Sequence, residues 1–295
     1  MNVLLTEPQN HAAIELPQTY NYVGLFLSFR CPYNCSYCIN RQDAVPQSGE
    51  LTGAEWLAFL RRLRPRDVPI TFQGGEPGCH PEFIGLVREA LHFHAVDILT
   101  NLTFDIDEFA RQVPAQALNR DAPYAPIRVS YHPEQFSLEH ILDRVLLMQG
   151  HGYRIGLYGI DHPEHAGERA RASAVCRDAG VDFRMKSFLG QHNGRSYGEL
   201  AYPEACWQSQ ARTCECTPSE LLLAPNGGIF PCHHHLYSRN GQVGHVSRGE
   251  VELTESPQPC SSFGHCNPCD IKVKNNRFQQ HGHVSVQIRL RDRAA

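Results

Sequence analysis

Three cysteines fall within eight residues in the segment Cys31-Pro-Tyr-Asn-Cys35-Ser-Tyr-Cys38, which follows directly on an apolar run at 22–29. A loop this short, leaving the end of a strand, can turn all three thiolates toward one metal centre. At this spacing they can hold three irons of a 4Fe-4S cube and leave the fourth iron without a protein ligand, open to another molecule. A zinc knot or ferredoxin-type ligation would want a fourth Cys or His close by, and none follows before Cys79.

A second group of chemistry-bearing residues, Thr71-Phe72-Gln73-Gly74-Gly75-Glu76-Pro77, closes the apolar run 68–72. Adjacent glycines at a strand end let backbone approach a ligand where a Cβ would clash, and Glu76 supplies an acceptor for an ammonium group. The Cys-x3-Cys-x2-Cys loop, with Tyr37 before its last cysteine, and the Gly-Gly-Glu-Pro motif together resemble the radical S-adenosylmethionine (SAM) superfamily. The resemblance implies a 4Fe-4S cluster on Cys31, Cys35 and Cys38, with the amino and carboxylate groups of SAM on its open iron. It further implies reductive cleavage of SAM to a 5′-deoxyadenosyl radical that abstracts a substrate hydrogen. Tyr37, Gly74, Gly75 and Glu76 would then bind SAM, Glu76 meeting its amino group. Family members often carry Thr-Asn-Gly after the third strand and Ser-Leu-Asp after the fourth. The matching segments here, Thr100-Asn101-Leu102 and Ser130-Tyr131-His132, nominate Asn101 and Ser130 for SAM, with His132 standing where the aspartate would be.

These motifs need a scaffold that gathers strand ends. Apolar runs at 22–29, 68–72, 95–99, 127–131, 154–160 and 181–186 read as six strands, separated by segments with helical spacing. Thr52 and Glu55 form a capping box ahead of Trp56, Phe59, Leu60 and Leu63, and Ser137 caps a helix carrying Ile141, Leu142 and Val145. Strict alternation calls for a parallel sheet with its ligands at the carboxyl strand ends. That agrees with the α/β fold the family implies, an open (β/α)6 partial TIM barrel. Residues 1–21 read as an N-terminal arm, a short hairpin or lid, and 22–187 as the barrel.

Beyond Ser187 the rhythm changes, and 188–295 reads as a small cysteine-rich domain of β-hairpin and helix. Cys216 and Cys232 flank Pro225-Asn226-Gly227-Gly228, a hairpin-turn signal that would bring the two thiols together. Cys260, Cys266 and Cys269 follow, and Cys214 stands two residues before Cys216. This region resembles the auxiliary-cluster extensions called twitch and SPASM. By that resemblance a second 4Fe-4S cluster is held by Cys216, Cys232, Cys266 and Cys269, with Cys214 and Cys260 as alternates. A structural zinc site, assisted by His233, His234 or His235, is the competing reading. The thiol of Cys79 can donate a hydrogen atom to a product radical, as an epimerase needs, or be a small buried hydrophobe. Cys176 and Cys206 have no partner pattern and read as structural.

The 295 residues are 41% hydrophobic and 20% charged, with a formal net charge of −4, which argues against a general nucleic-acid or membrane-surface binder. Twelve cysteines with no secretory leader point to metal binding in a reducing cytoplasm rather than disulfides. The function expected is hydrogen abstraction from a small polar substrate, an oxidation or rearrangement assisted by the auxiliary cluster, with a reduced flavodoxin- or ferredoxin-type electron donor. The alternatives are a maturase acting on a peptide, for which Gln73 before the glycine pair speaks, and a non-enzymatic iron–sulfur or zinc redox sensor.

Overall fold

The computed structural model describes residues 12–40, 49–274 and 282–290. The chain enters through β1 (Ile14–Glu15) and β2 (Tyr22–Ser28), whose seven residues are all buried because the strand lies in the middle of the sheet. Helix α1 (Gly53–Leu60) starts at the expected capping box, with Glu55 N–H on Thr52 Oγ1 at 3.3 Å and Thr52 N–H on Glu55 Oε2 at 2.8 Å. It ends before Leu63, which belongs to β3 (Leu63–Arg64). Then follow β4 (Ile70–Gly74), α2 (Phe83–Ala90), β5 (Val96–Thr100), α3 (Ile106–Gln112), α4 (Ala115–Leu118), β6 (Ile127–Ser130), α5 (Leu138–Gly150), β7 (Ile155–Asp161), α6 (Ala166–Asp178) and β8 (Asp182–Ser187).

All six expected strands are present and parallel in the order β2-β4-β5-β6-β7-β8. Their helices bury the apolar stripes read from the sequence: Trp56, Phe59, Phe83, Val87, Phe109 and Val145 are each 2% exposed or less. The N-terminal arm behaves otherwise than expected. Within its described part, Ile14–Glu15 forms no hairpin but pairs in parallel with Leu63–Arg64, and the Arg66 guanidinium donates to the carbonyls of Leu16, Pro17 and Tyr20 at 2.7, 2.6 and 2.8 Å. The lid reading for 1–11 falls outside the described residues.

After β8 the chain makes the hairpin β9 (Gly190–His192) and β10 (Arg195–Tyr197), then β11 (Arg212–Pro218), β12 (Glu220–Leu223), β13 (Gly228–Phe230), α7 (His233–Ser238), β14 (Gly244–His245), β15 (Gln258–Phe263), α8 (Pro268–Ile271) and β16 (Val286–Leu290). The turn at 225–228 joins β12 and β13 as an antiparallel hairpin. The change of rhythm near Ser187 does not end the central sheet. Strand β12 pairs in parallel with β2, and β13 and β14 continue outward, giving nine strands in the order β14-β13-β12-β2-β4-β5-β6-β7-β8. A separate antiparallel sheet, β15-β11-β16, carries the remaining cysteine-rich segment. Because β11 runs almost directly into β12, the two sheets are covalently and mechanically linked at Ser219, whose N–H donates to the Ser285 carbonyl at 2.9 Å.

Candidate active site

A cavity of about 290 Å³ opens where the parallel strands end. Cys31, Cys35, Tyr37, Cys38, Gly74, Gly75, Glu76, Asn101 and Ser130 all line it. From the C-terminal region His233, Cys269, Lys272 and Lys274 complete its wall. Cys79 is not among the lining residues. It ends the 3-10 turn that follows Glu76, half-buried, with its carbonyl taken by the Arg30 guanidinium at 3.0 Å.

The Cys loop is held by residues that the sequence reading passed over. Ser36 donates its N–H and hydroxyl to Glu134 at 2.7 and 2.6 Å, and Asn34 N–H reaches Gln135 Oε1 at 3.0 Å. Both acceptors follow His132 at the end of β6, so the loop's shape is set by a neighbouring strand rather than by its own sequence. Burial pushes the Cys31 thiol up to about 11 and the Cys35 thiol up to about 12. Loading a metal centre here must therefore discharge thiol protons.

Glu76 is buried, and its carboxylate is already well used. Oε1 accepts from Thr100 Oγ1 at 2.7 Å and from Gly78 N–H at 3.0 Å, and Oε2 accepts from Asn101 N–H at 2.7 Å. A carboxylate offers about four acceptor sites, so one remains for a ligand. Burial nevertheless raises its pKa to about 7 against those three donors.

The glycine pair, which lines the cavity, also admits a close approach of backbone. A Cβ on Gly74, where φ is +153°, would sit 2.1 Å from the Ser28 carbonyl oxygen. One on Gly75 would lie 2.4 Å from that of Arg30. What the glycines admit is the backbone leading from β2 into the Cys loop, which lets Gly75 N–H bond Ser28 O and Glu76 N–H bond Arg30 O at 2.8 and 2.9 Å. The two motifs are thus one construction.

Asn101, at the cavity wall, contacts the Cys loop. Its Nδ2 donates to the Cys31 sulfur at 3.6 Å, while Oδ1 accepts from the N–H and hydroxyl of Thr103. The next residue, Leu102, stands where the family has glycine, and it keeps the left-handed backbone with φ of +58°. Leu102 N–H bonds Thr100 Oγ1 at 2.8 Å, and its carbonyl takes the Arg144 guanidinium at 2.8 Å.

Tyr37 sits among histidines. Its hydroxyl lies 3.1 Å from His132 Nδ1, and its ring is 5.5 Å from that of His162 and 6.0 Å from that of His165. Burial pushes His132 down to about 4, so it is neutral at physiological pH.

In the C-terminal region Cys216, Cys232, Cys260 and Cys266 line a second cavity of about 320 Å³. Cys214 lies behind it, its sulfur 3.5 Å from that of Cys216. Cys269, expected in this set, instead lines the first cavity, while Cys260 takes a place beside Cys216, Cys232 and Cys266. The hairpin register explains Cys260, since β15 pairs Cys260 with Cys214 across from Cys216. The thiol of Cys216 and the ring of His235 push the Cys260 thiol below its usual range. All twelve cysteines are free thiols, and Cys176 and Cys206 are buried, the latter donating to the Cys266 carbonyl at 2.9 Å.

Between the cavities lies a buried ionic network. His233 Nδ1 is 2.9 Å from Asp270 and 3.7 Å from Glu220, and Lys274 pairs with Glu220. Asp270 also accepts the N–H groups of His233 and His234 at 2.7 and 3.0 Å. These bonds fix the ring of His233 at the first cavity's wall with Nδ1 turned to the carboxylates.

The donor sets suit the groups that the sequence implies. Three thiols at one cavity with an N–H···S contact from Asn101, beside a carboxylate with one acceptor site left, fit a cluster with an amino-bearing ligand. Four thiols around one cavity fit a second multi-iron group.

Comparison with known proteins supports the first of these centres. Residues 25–155 match the model of the radical SAM superfamily. A PqqA peptide cyclase of Rhodopseudomonas palustris is 34% identical over 124 residues, 42% of this chain and 31% of that protein. One from Streptomyces rochei is 36% identical over 77 residues, 25% of this chain and 21% of that protein. The chain thus matches less than a third of either relative's length. Among solved structures, anSMEcpe with bound AdoMet and the Cp18Cys peptide superposes with a TM-score of 0.55 at 12% identity, covering 90% of this chain and 92% of that one. BtrN in complex with AdoMet and 2-DOIA superposes with a TM-score of 0.51 at 12% identity, over 88% and 98% of the two chains. These two likenesses are of fold.

Proposed function

We propose that this chain, whose residues 25–155 match the model of the radical SAM superfamily, abstracts a hydrogen atom from a residue of a peptide substrate as the first step of its modification. The observation that carries the proposal is the convergence of Cys31, Cys35, Cys38 and Glu76 with His233 and Lys272 on one cavity. Cys31, Cys35 and Cys38 would hold the 4Fe-4S cluster, and Glu76, Ser130 and the Gly74–Gly75 backbone would hold SAM. When bound, that pair supplies the one-electron chemistry that removes the hydrogen atom.

The chain's own residues do the rest. Glu76 presents its remaining acceptor site to an ammonium group. Asn101 donates to a ligating sulfur. His233, oriented by Asp270 and Glu220, is placed to take a proton from the substrate. A peptide takes precedence over a small polar molecule because the curated relatives are peptide cyclases. The match to an enzyme superfamily, with Glu76 and the three-cysteine loop intact, sets the sensor alternative aside. Among the described residues no helix is long and apolar enough to cross a membrane, and a cytoplasmic enzyme fed by a flavodoxin- or ferredoxin-type donor is the working reading.

A second 4Fe-4S cluster on Cys216, Cys232, Cys260 and Cys266 would sit where it can take up the second electron of an oxidation. One observation favours zinc instead: the sulfurs of Cys214, Cys216 and Cys260 lie within 4.8 Å of one another, close enough for a single ion. Iron, sulfide and zinc counting on the reconstituted protein separates the two. The peptide reading is tested by incubating the reduced enzyme and SAM with a perdeuterated candidate peptide. Deuterium in the 5′-deoxyadenosine supports it. Deuterium transfer only from small polar substrates sinks it.

A further inference from the structure

Seventeen histidines are more than the cluster chemistry uses, and three of the conspicuous ones gather at the end of β7. His162 caps the short turn Pro163–His165, which carries Glu164, and His192 ends β9 on the opposing hairpin. Ligand atoms of His162, Glu164 and His192 all lie within 4.8 Å of one another, with His192 Nε2 to Glu164 Oε1 at 3.7 Å. Zinc bonds to nitrogen and oxygen of about 2.0–2.2 Å place tetrahedral donors roughly 3.3–3.6 Å apart. Small side-chain rotations close the difference.

We infer that His162, His192 and Glu164 form a zinc site, separate from the cysteine centres, that ties the β9–β10 hairpin to the carboxyl end of β7. The donor set of two imidazoles and one carboxylate is one zinc accepts, and it leaves a fourth position for water. His162 is 5% exposed and the side chain of His192 18%, so both rings are already ordered, while Glu164 at 62% leaves an entry path. Phe188 packs edge-on against His162 at 4.5 Å and Tyr197 against His192 at 6.4 Å, giving the rings an apolar backing. At His192, ligation through Nε2 displaces the hydrogen bond from Asn193 Nδ2, 2.9 Å. The only hydrogen bond given up at His162 is the long one from Glu164 N–H to Nδ1, 3.4 Å, whichever ring nitrogen binds. His165, its ring 5.2 Å from that of His162, is held back by Glu134 at 3.4 Å and stays outside the set. Since the His162 ring also flanks Tyr37, an ion here would brace the Cys loop from behind.

The test uses full-length protein reconstituted anaerobically so that the cysteine centres are filled, then passed over chelating resin and titrated with zinc chloride by calorimetry. Wild type takes up one further equivalent of zinc. His192→Ala and Glu164→Gln, both toward the surface, lose it or bind roughly 10–100-fold more weakly, with iron content and circular dichroism unchanged. Zinc-edge absorption spectroscopy then shows a nitrogen and oxygen shell only. No further zinc uptake by wild type, equal uptake by wild type and His192→Ala, or sulfur in the zinc shell would each overturn the assignment.

Discussion

The side-chain amide of Asn101 donates to the Cys31 sulfur across 3.6 Å, which couples a strand-end residue to one of the three thiols proposed to hold the cluster. Hydrogen bonds to ligating sulfurs raise a cluster's reduction potential. Asn101→Ala should leave about four irons on the N-terminal site, shift that cluster's midpoint to more negative potential, and slow SAM cleavage by about 10–100-fold. A redox titration followed by electron paramagnetic resonance reads the shift; an unmoved midpoint means that the amide does not act on the sulfur.

Glu76 predicts a pH dependence of definite sign. Burial raises it to about 7, so the native state binds this proton more tightly than the unfolded chain does. Its contribution to stability is fully present below the unfolded value of about 4.3 and is lost as pH rises through 7. The melting temperature of the metal-free protein should fall between pH 5 and 8 more than that of Glu76→Gln, the difference being on the order of 3 kcal/mol at most. SAM binding runs the other way. Affinity should rise as pH passes about 7 and the carboxylate ionises. In Glu76→Gln that pH dependence should disappear along with at least about tenfold in affinity, as equilibrium dialysis can measure.

Leu102 holds a left-handed backbone at about 1 kcal/mol of strain, and it is fully buried. Leu102→Gly relieves the first and forfeits the second, which in a packed core costs about 2–5 kcal/mol. The variant should therefore melt lower despite restoring the family's glycine. A higher melting temperature would mean that strain dominates.

The second cavity predicts an order among cysteine variants. Cys260→Ala should lose the auxiliary metal, and Cys269→Ala should retain it, because Cys260 lines that cavity and Cys269 lines the other. Metal analysis of both proteins decides. Equal loss from both would return the set to the one that spacing alone favours.

Much of this was legible in the residues. The six strands, the capping box at Thr52 and the hairpin at Asn226-Gly227 are local signals, and the two motifs stand at strand ends because period and punctuation put them there. Long-range relationships were not legible. Nothing in the segment 31–38 says that Glu134 will hold Ser36, and no periodicity says that Glu220 to Leu223 will pair beside β2 rather than start a separate domain. The place of Cys260 at the second cavity has the same origin, a cross-strand register fixed by β15 against β11. The position of Asn101 at the cavity was legible from its strand end, and its contact with Cys31 was not.

The central claim is that Cys31, Cys35 and Cys38 hold a cluster that cleaves SAM. Anaerobic reconstitution of wild type and of the Cys31→Ala/Cys35→Ala/Cys38→Ala protein, followed by iron and sulfide counting and reduction with SAM, tests it most directly. The account predicts about eight irons falling to about four, with 5′-deoxyadenosine formed by wild type alone. Equal iron in the two proteins, or 5′-deoxyadenosine from the triple variant, would contradict it.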